Sequence, residues 1–495
     1  MPTFALEGVD AREVTVEVDV RRGLPAFAIV GLPDTAVREA RERVRAALLN
    51  SDLEFPLARL TANLAPAWVR KAGASFDLAL AVGVLSASGQ VPAAALEGCA
   101  VSGELSLGGE LRPVRGALAI SIGCRRAGLR RLIVAPESAA EAALVGDVEV
   151  CPVPSLARLV DLLHERWAPE PPRAGPEPSP PVADAPDLAD VRGQLDARRA
   201  LEIAAAGGHS LLMIGPPGAG KTMLARRLPG ILPPLTSDEA LDVTRVHGVV
   251  GMGSGGLAAL RPFRAPHHTI SAQGLVGGGA RPRPGEVTLA HRGVLFLDEL
   301  AEFARPALEA LRQPLELGEV EITRGQTTLA FPSRVMLVAA ANPCPCGRGG
   351  DACTCPGMVR DRYRARLSGP LIDRIDMVCQ LAPVTADKLA PGAPLGEPSA
   401  AVRGRVSRAR AAQSRRLARS GIATNAAMTA RQMREQVGLA PRAAQPLTAA
   451  LDRGLLTGRG HDRVLRLART IADLEEGDLV TAVHVAEALG YRVAA

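Results

Sequence analysis

The feature that most constrains this chain is a glycine-rich loop that lies between an apolar run and a helical pattern. Residues 211–228 read LLMIGPPGAGKTMLARRL and contain the complete pattern GxxxxGK[ST]. The preceding run, 211–214, predicts a buried strand, and 223–228 predicts a helix, which is the context in which this pattern binds phosphate. Glycines allow a tight turn whose N–H groups point at phosphate oxygens. A glycine-rich turn without a ligand is the alternative, and it explains this context less well.

The loop therefore predicts a nucleoside triphosphate site, with ATP and Mg²⁺ as the expected ligands. Lys221 is expected to reach the β- and γ-phosphates, and the Thr222 hydroxyl to hold Mg²⁺. The predicted nucleotide contacts are Gly215, Pro216, Pro217, Gly218, Ala219, Gly220, Lys221 and Thr222.

A pair of acids follows a second apolar run. Residues 293–303 read GVLFLDELAEF, in which 294–297 predict a buried strand that ends at Asp298 and Glu299. Two acids at such a place are costly unless they have a partner or a task. Asp298 is expected to complete the Mg²⁺ site, and Glu299 to orient and polarise the attacking water. The alternative is a pair of acids placed against the dipole of a helix N-terminus.

A third apolar run, 335–341, predicts a strand that ends at Asn342. A polar side chain at this point is suited to contact the γ-phosphate or the lytic water. Further on, residues 367–377 read LSGPLIDRIDM and carry Arg374.

Together these motifs resemble the AAA+ ATPases, and the resemblance implies further roles. It places Val191 and Gln194 at the adenine, and Asn342 in the sensor-1 position. Arg374 resembles the arginine finger that reaches the γ-phosphate of a neighbouring subunit, although an ion pair within the chain is the alternative. Arg459 falls at the sensor-2 position of the helical lid, with Arg463 as a second candidate.

Other stretches narrow the resemblance. Residues 261–300, the run ANPCPCG at 341–347 and RTIADL at 469–474 resemble the magnesium-chelatase-like group and, within it, the ComM/YifB family. The resemblance covers nearly the whole chain. It implies a hexameric AAA+ motor that acts as a DNA helicase in branch migration, homologous recombination and natural transformation. The alternative is a chelatase-type ATPase that remodels a protein partner.

The first segment of the chain predicts an α+β domain. Residues 14–20 and 26–30 read as strands, and 34–50 and 76–85 as helices. Residues 71–85 and 102–116 resemble the proteolytic domain of Lon-type proteases, which uses a Ser–Lys dyad. Ser75 matches the serine, but the lysine position falls on or near Leu118, and residues 116–125 contain no lysine.

A serine without an adjacent base is a poor nucleophile. We therefore expect a Lon-like domain without peptidase activity, in which Ser75 caps a helix. An ATP-dependent protease is the less favoured reading.

The expected fold class is therefore α/β. A Lon-like α+β domain (1–165) and a proline-rich linker (166–188) precede an AAA+ core (189–385) and an all-α lid (395–495). Within the lid, residues 401–420 carry many arginines and no acid. This stretch predicts either a solvated helix face or a contact with nucleic acid or a second subunit.

Two inserts in the motor domain are candidates for DNA contacts. Residues 264–284 are rich in glycine and arginine, and 319–331 predict a hairpin that turns near Arg324. In related ring motors such loops grip nucleic acid in the pore. Arg281, Arg283 and Arg324 are the candidate phosphate contacts, with solvated loop arginines as the alternative. The adjacent His267 and His268 are expected to be hydrogen-bonded rather than to bind a metal.

Four of the eight cysteines cluster in the pattern C-P-C-x₆-C-T-C. Zinc favours four tetrahedral thiolates, and the glycines between the pairs would let both pairs reach one ion. Structural zinc, free thiols and disulfides all remain open, although disulfides are rare in reducing compartments. The candidate ligands are Cys344, Cys346, Cys353 and Cys355.

Composition permits these functions without requiring DNA. A net charge of +6 allows an anionic partner, while 2% aromatic residues make base stacking a minor contribution. The sequence has no uncharged apolar run of about 20 residues, so no membrane span is expected. The N-terminus lacks the pattern of a secretory signal, so the expected location is the cytoplasm.

Overall fold

The computed structural model describes residues 1–172, 186–253, 255–279, 282–324, 327–367, 372–390 and 394–493. The fold divides into two compact units. The first comprises Met1–Ser179, Ser237–Ala259 and Gly325–Phe331, and the second Pro180–Thr236, Leu260–Arg324 and Pro332–Ala495. The central part of the predicted linker, 173–185, lies outside the described residues.

Strands and helices alternate through both units. The strands are β1 (Pro2–Glu7), β2 (Asp10–Arg21), β3 (Ala26–Val30), β4 (Arg59–Ala65), β5 (Cys99–Val101), β6 (Glu104–Leu105), β7 (Leu111–Arg112), β8 (Arg131–Val134), β9 (Glu149–Pro152), β10 (Leu211–Ile214), β11 (Phe263–Arg264), β12 (Gly277–Gly278), β13 (Arg283–Pro284), β14 (Val294–Leu297), β15 (Glu319–Arg324), β16 (Thr327–Pro332), β17 (Met336–Ala341) and β18 (Met377–Gln380).

The helices carry most of the C-terminal part. They are α1 (Thr35–Leu49), α2 (Asp77–Ala87), α3 (Ala117–Arg126), α4 (Pro136–Ala142), α5 (Leu156–Leu163), α6 (Leu195–Gly207), α7 (Lys221–Ile231), α8 (Ser237–Val250), α9 (Ala272–Val276), α10 (Glu286–Leu289), α11 (Arg305–Ala310), α12 (Arg312–Leu317), α13 (Gly357–Leu367), α14 (Ala386–Leu389), α15 (Ser399–Leu417), α16 (Ala430–Gln436), α17 (Gln445–Asp452), α18 (Gly458–Leu474) and α19 (Ala482–Val493). Among the helices that the structure describes, none is both long and apolar enough to cross a membrane.

The first unit contains a mixed sheet in the order β1-β2-β4-β3 and a parallel sheet in the order β5-β8-β9. In the mixed sheet β3 runs parallel to β4, whereas β2 is antiparallel to both of its neighbours. The short strands β6 and β7 form a hairpin with Leu105 opposite Leu111. This arrangement agrees with the expected α+β character.

Helix α1 shows how local signals set an element. The Asp34 side chain accepts a hydrogen bond of 3.0 Å from Val37 N, which satisfies one of the free N–H groups of the first turn. Val37, Ala40 and Val44 lie on one face and are fully buried. The predicted helix over 34–50 is therefore confirmed, with Asp34 and Asn50 as its caps.

Helix α2 is buried on every side from Asp77 to Leu85. Its charged residue, Asp77, accepts bonds of 2.7 and 2.9 Å from the Arg43 guanidinium. Burial raises the pKa of Asp77, and the bonds from Arg43 oppose that rise. The prediction that Ser75 caps this helix is wrong: the cap position is Phe76, and Ser75 instead accepts a bond from Gly103 N through its carbonyl.

Helix α8 lies in the middle of the chain, after β10 and α7 of the second unit, but belongs to the first unit. The Gly248 carbonyl accepts a hydrogen bond of 3.1 Å from Gly116 N, at the start of α3. Arg245 pairs with Asp10 at 3.2 Å, and Arg126 of α3 pairs with the same carboxylate at 3.3 Å. The first unit is thus assembled from separate stretches of sequence.

The second unit is built on a five-stranded sheet in the order β11-β14-β17-β10-β18. Every neighbouring pair in it is parallel. Strand β10 lies between β17 and β18, so the chain leaves β10 where the strand order reverses. Ligands of open parallel sheets bind at such a point, beyond the carboxyl ends of the strands.

Helix α15 packs against the core of the second unit, and most of its arginines have partners there. Its apolar residues Val402 and Val406 join the same core as Leu201 of α6 and Leu467 of α18. Most of its arginines bind within the second unit, which favours a structural role over a nucleic-acid contact. The contacts are Arg403 with the Gly230 carbonyl, Arg405 with Glu202 and Glu397, Arg408 with Glu476, Arg410 with the Ala205 carbonyl, and Arg416 with Asp473.

Replacing Arg43 with Met should lower the free energy of unfolding of the first unit by about 3 kcal/mol, because it leaves the Asp77 carboxylate buried without its partner. Urea unfolding followed by tryptophan fluorescence measures this directly, since both tryptophans, Trp68 and Trp167, lie in the first unit. Arg41→Met is the matched control, because Arg41 lies on the exposed side of α1, the helix that also carries Arg43. This change should lower the free energy of unfolding by less than about 0.5 kcal/mol. Equal effects of the two changes would contradict the assignment.

Candidate functional site

The glycine-rich loop, called the phosphate loop below, begins where β10 ends and closes at the first residue of α7. Gly218 and Gly220 have φ values of +80° and +91°, in the left-handed region that glycine tolerates best. Gly215 has no room for a side chain, because a Cβ there would lie 2.8 Å from Leu381 Cβ. The local geometry therefore requires the glycines that the motif supplies.

Lys221 is held inside this loop. Its ammonium group donates hydrogen bonds to the carbonyls of Gly215 at 2.5 Å and Pro216 at 3.0 Å, and to Asn342 Oδ1 at 3.0 Å. Burial lowers the pKa of Lys221. Its acceptors are all neutral, so an anionic phosphate oxygen would be a stronger partner than any of them.

The two predicted magnesium ligands lie together. Thr222 donates a hydrogen bond of 2.7 Å from its hydroxyl to Asp298 Oδ2. The other Asp298 oxygen accepts a 3.0 Å bond from the backbone N–H of Glu299. A hydroxyl and a carboxylate in direct contact beside a phosphate loop form the donor set that Mg²⁺ takes in nucleotide sites.

Glu299 stands at the next position with its side chain 57% exposed. Its φ of +53° is left-handed, which turns the carboxylate away from the strand direction of β14. His268 Nδ1 lies 3.2 Å from Glu299 Oε2. The sequence predicted a hydrogen-bonded His268 but did not indicate this partner, because no local spacing connects the two residues.

Asn342 leaves β17 beside the loop, as expected for the sensor-1 position. Its side chain accepts from Lys221, and its carbonyl accepts a 3.1 Å bond from the Tyr363 hydroxyl. Burial raises the pKa of Tyr363 to about 12, so this hydroxyl remains a donor at neutral pH. Sequence reasoning missed Tyr363, which lies on α13 and carries no motif of its own.

Of the two residues predicted at the adenine, Gln194 lies beside the same loop. Val191 is buried, and Gln194 Nε2 donates to the carbonyls of Ala219 at 3.1 Å and Ala382 at 2.7 Å. The structure thus brings Gln194 to the phosphate loop. Its predicted contact with adenine stays a prediction.

The three arginines predicted to act on the nucleotide lie elsewhere in the second unit. Arg374 forms an ion pair with Glu316, and Arg459 is exposed in the first turn of α18. Arg463 pairs at 3.5 Å with Asp376, which precedes β18 and therefore lies at the opposite edge of the sheet from the phosphate loop. This position disfavours Arg463 as a sensor for the nucleotide of its own chain.

The candidate DNA contacts are only partly described. Arg283 is exposed on β13, which pairs with β12. Strands β15 and β16 pair with each other, which confirms the predicted hairpin. Arg281 and the side chain of Arg324 lie outside the described residues.

The four cysteines predicted to bind zinc converge next to Asn342. Their Sγ atoms all lie within 4.8 Å of one another. Hydrogen bonds from the N–H groups of Arg348 and Thr354 lower the pKa of Cys346, whereas burial raises the pKa of Cys355. The loop between β17 and α13 therefore presents a compact set of sulfur ligands.

The arrangement around the phosphate loop supports one kind of chemistry. A cation (Lys221), a pair of oxygen ligands (Thr222 and Asp298), an exposed carboxylate (Glu299) and a polar amide (Asn342) surround one point at the carboxyl edge of a parallel sheet. These groups suit binding of a triphosphate and attack on its terminal phosphorus by water.

Comparison with sequence families gives three adjacent matches. Residues 187–389 match the family described as magnesium chelatase, subunit ChlI, and residues 396–492 match the C-terminal domain of that subunit. Residues 16–138 match the family described as subunit ChlI of Mg-chelatase.

Full-length relatives show the same likeness. The chain is 45% identical to an uncharacterized protein of Mycobacterium tuberculosis, over 99% of this chain and 97% of the relative. It is 42% identical to the protein YifB of Escherichia coli, over 99% and 96% of the two chains. It is also 42% identical to the competence protein ComM of Haemophilus influenzae, over 98% and 95%.

Replacing Thr222 with Val should raise the Mg²⁺ concentration needed for half-maximal ATP hydrolysis by at least about tenfold, because valine keeps the shape and removes the oxygen ligand. The measurement is a Mg²⁺ titration of phosphate release at fixed ATP. Thr222→Ser retains the hydroxyl and should stay close to the unmodified chain. An unchanged Mg²⁺ dependence in Thr222→Val would contradict the assignment of this ligand.

Proposed function

Because the chain belongs to the ComM/YifB family of magnesium-chelatase-like AAA+ proteins, we propose that it is a ring-forming ATPase that moves along DNA. The proposal includes branch migration during homologous recombination and the integration of transforming DNA. The observation that carries the ATPase part is the convergence of Lys221, Thr222, Asp298, Glu299 and Asn342 at the end of the sheet.

Each of these residues has a defined task in hydrolysis. Lys221 binds the β- and γ-phosphates, and the loop N–H groups orient them. Glu299 orients the attacking water and accepts a hydrogen bond from it as the water oxygen approaches the γ-phosphorus. ADP leaves on the opposite side of that phosphorus. Thr222 and Asp298 hold Mg²⁺, which when bound neutralises the charge that develops on the phosphate oxygens. Asn342 positions the γ-phosphate or the water.

Assembly into a hexamer would complete the site with groups from a neighbouring copy. In the proposed ring, Arg374 exchanges its partner Glu316 for the γ-phosphate bound by the adjacent subunit. Arg459 is exposed and thus accessible for a similar role. Glu316 is 57% exposed, so solvent can stabilise its carboxylate when Arg374 leaves, whereas the Arg374 side chain is only 17% exposed and must emerge to reach the neighbouring site.

The DNA part of the proposal has different support. The Haemophilus influenzae relative is named a competence protein, and the match to it covers nearly all of both chains. Arg283 is exposed on the insert, where a phosphate contact would need no rearrangement of a buried group. Because the net charge of +6 is modest, the contact is expected to come from loops rather than from a large basic face.

A chelatase-type ATPase that remodels a protein partner is the second candidate. Its support is that all three family matches are described as parts of magnesium chelatase. It predicts ATP hydrolysis that responds to a protein and not to DNA.

The first unit is proposed to have a Lon-like fold without peptidase activity. Leu118, at the position of the missing lysine, is fully buried in α3. A leucine side chain cannot accept the proton of the Ser75 hydroxyl, so this position supplies no base to activate the serine.

The first test is ATP hydrolysis with and without single-stranded and branched DNA. The proposed motor should be stimulated severalfold by DNA, and Glu299→Gln should hydrolyse ATP at least about a hundredfold more slowly while still binding it. Hydrolysis that ignores both kinds of DNA would favour the protein remodeller instead.

Two variants test whether Arg283 contacts DNA. Arg283→Ala should weaken DNA binding and reduce the salt dependence of the affinity by about one unit of slope. Arg453→Ala removes another exposed arginine of the second unit and should leave both quantities unchanged. Equal behaviour of the two variants would remove Arg283 from the DNA contact.

Arg374 can be tested by mixing inactive subunits. Arg374→Ala and Glu299→Gln should each be inactive alone, whereas mixed rings should recover activity at about a quarter of their sites, since each active site then combines residues from two subunits. The measurement is ATP hydrolysis as a function of mixing ratio. A chain carrying both changes is the control partner and should rescue neither variant. Failure of the single variants to complement each other would place the arginine in its own subunit's site or outside catalysis.

A further inference from the structure

We propose that Cys344, Cys346, Cys353 and Cys355 bind one zinc ion that holds Asn342 and the phosphate loop in register, so that ATP hydrolysis depends on this second metal. The coupling to hydrolysis rests on the proposed ATPase function, whereas the metal site itself does not.

The sulfur geometry matches one tetrahedral ion. Cys344 Sγ lies 3.3 Å from Cys346 Sγ and 3.5 Å from Cys353 Sγ, and the Cys346 and Cys353 sulfurs are 3.9 Å apart. Four sulfurs around zinc at about 2.3 Å are separated by about 3.8 Å from one another. The observed separations bracket this value, so an ion fits with only small shifts of the side chains.

Backbone groups already orient the sulfurs. Gly349 N donates to Cys344 Sγ and Cys346 N donates to Cys355 Sγ, each at 3.3 Å. Hydrogen bonds of this kind stabilise thiolates and fix the direction of metal ligands. Four protein ligands leave no open coordination position, so the site is structural and not catalytic.

The cysteine cluster is connected to Asn342 in two ways, along the chain and through α13. Cys344 lies two residues after Asn342, and Cys355 lies two residues before the start of α13. Tyr363 on α13 returns to donate its 3.1 Å hydrogen bond to the Asn342 carbonyl. Closing the loop with a metal would therefore fix the end of β17 and the beginning of α13 relative to each other.

The same loop touches the phosphate loop. Gly347 has a φ of +77°, and a Cβ there would lie 2.6 Å from Pro217 Cδ. The backbone at Gly347 thus rests directly on the phosphate loop, with no space for a larger residue. A path of direct contacts runs from the cysteines through Gly347 to Pro217, and through Asn342 to Lys221.

Apart from a metal, this loop is held by individual hydrogen bonds, such as the 2.9 Å bond from Gly347 N to the Cys344 carbonyl. It is short, rich in glycine, and only Cys344 among the four cysteines is buried. The free energy of zinc binding in such small sites is largely folding free energy, so removal of the ion should release the loop. Misplacing groups that contact a reacting phosphate by about 1 Å can slow a reaction about a hundredfold.

The metal is measured first, on the purified full chain. We expect one zinc per chain by elemental analysis, and Co²⁺ exchange should produce the strong absorption of a tetrahedral thiolate site. Cys353→Ser should lose the metal, whereas Cys355→His should retain it because zinc accepts imidazole as readily as thiolate. Cys99→Ala, outside the cluster, should keep the full zinc content.

The coupling is tested with two glycine variants that leave every sulfur in place. Gly347→Ala should keep its zinc but hydrolyse ATP at least about tenfold more slowly, because its Cβ would displace Pro217. Gly350→Ala is the matched control. Gly350 also has a left-handed φ, +47°, but nothing lies within 4 Å of its Cβ position. It should keep both zinc and most of the activity.

The outcomes separate the two parts of the proposal. A full chain that holds no zinc and gives no thiolate absorption with Co²⁺ would overturn the metal site. A folded Cys353→Ser chain that lacks zinc but hydrolyses ATP at the unmodified rate would overturn the coupling. A chain that binds zinc through these cysteines but hydrolyses no ATP would support the metal site and overturn the proposed ATPase.

Discussion

The parallel pairing of β10 with β17 is the constraint on which the candidate site depends. Ile214 lies opposite Ala341, so the phosphate loop and Asn342 leave the sheet side by side. The pairing of β14 with β17 brings Asp298 and Glu299 to the same edge. A slip of one residue in either pairing would turn these side chains to the other face of the sheet and separate the hydrogen-bonded groups. One register therefore positions the whole constellation.

Much of this arrangement could be predicted from short stretches of sequence. Strands β10 and β14 have the bounds that their apolar runs predict, because strands buried on both faces read as continuous apolar segments. The phosphate loop and the cysteine cluster carry their spacing locally, so the residues that converge there could be named in advance as candidate ligands. Their assembly followed from the rule that parallel strands present their carboxyl ends at one edge.

The remaining features depend on partners that are distant in the chain. Ser75 does not cap α2: Phe76 occupies the cap position, and the Ser75 carbonyl accepts a bond from Gly103 N, which is distant in the chain. The sequence of the basic stretch in α15 allows either a solvated face or a contact with nucleic acid or a second subunit, yet Arg405 and Arg416 bind acids contributed by other helices. The contact of His268 with Glu299 likewise joins an insert to a strand end. Local patterns contain no information on such pairs.

Helix α8 has a consequence for the order in which this chain can mature on the ribosome. The first unit needs α8 to cover α3, but α8 is synthesised only after β10 and the phosphate loop have emerged. Domains generally fold as units during synthesis, from the N-terminus onward. Here the first unit cannot complete its folding until α8 has been synthesised, and α8 follows the first part of the second unit in the chain. The two units therefore fold in an interleaved order. A gene cut after residue 172 would encode an incomplete unit rather than a free-standing module.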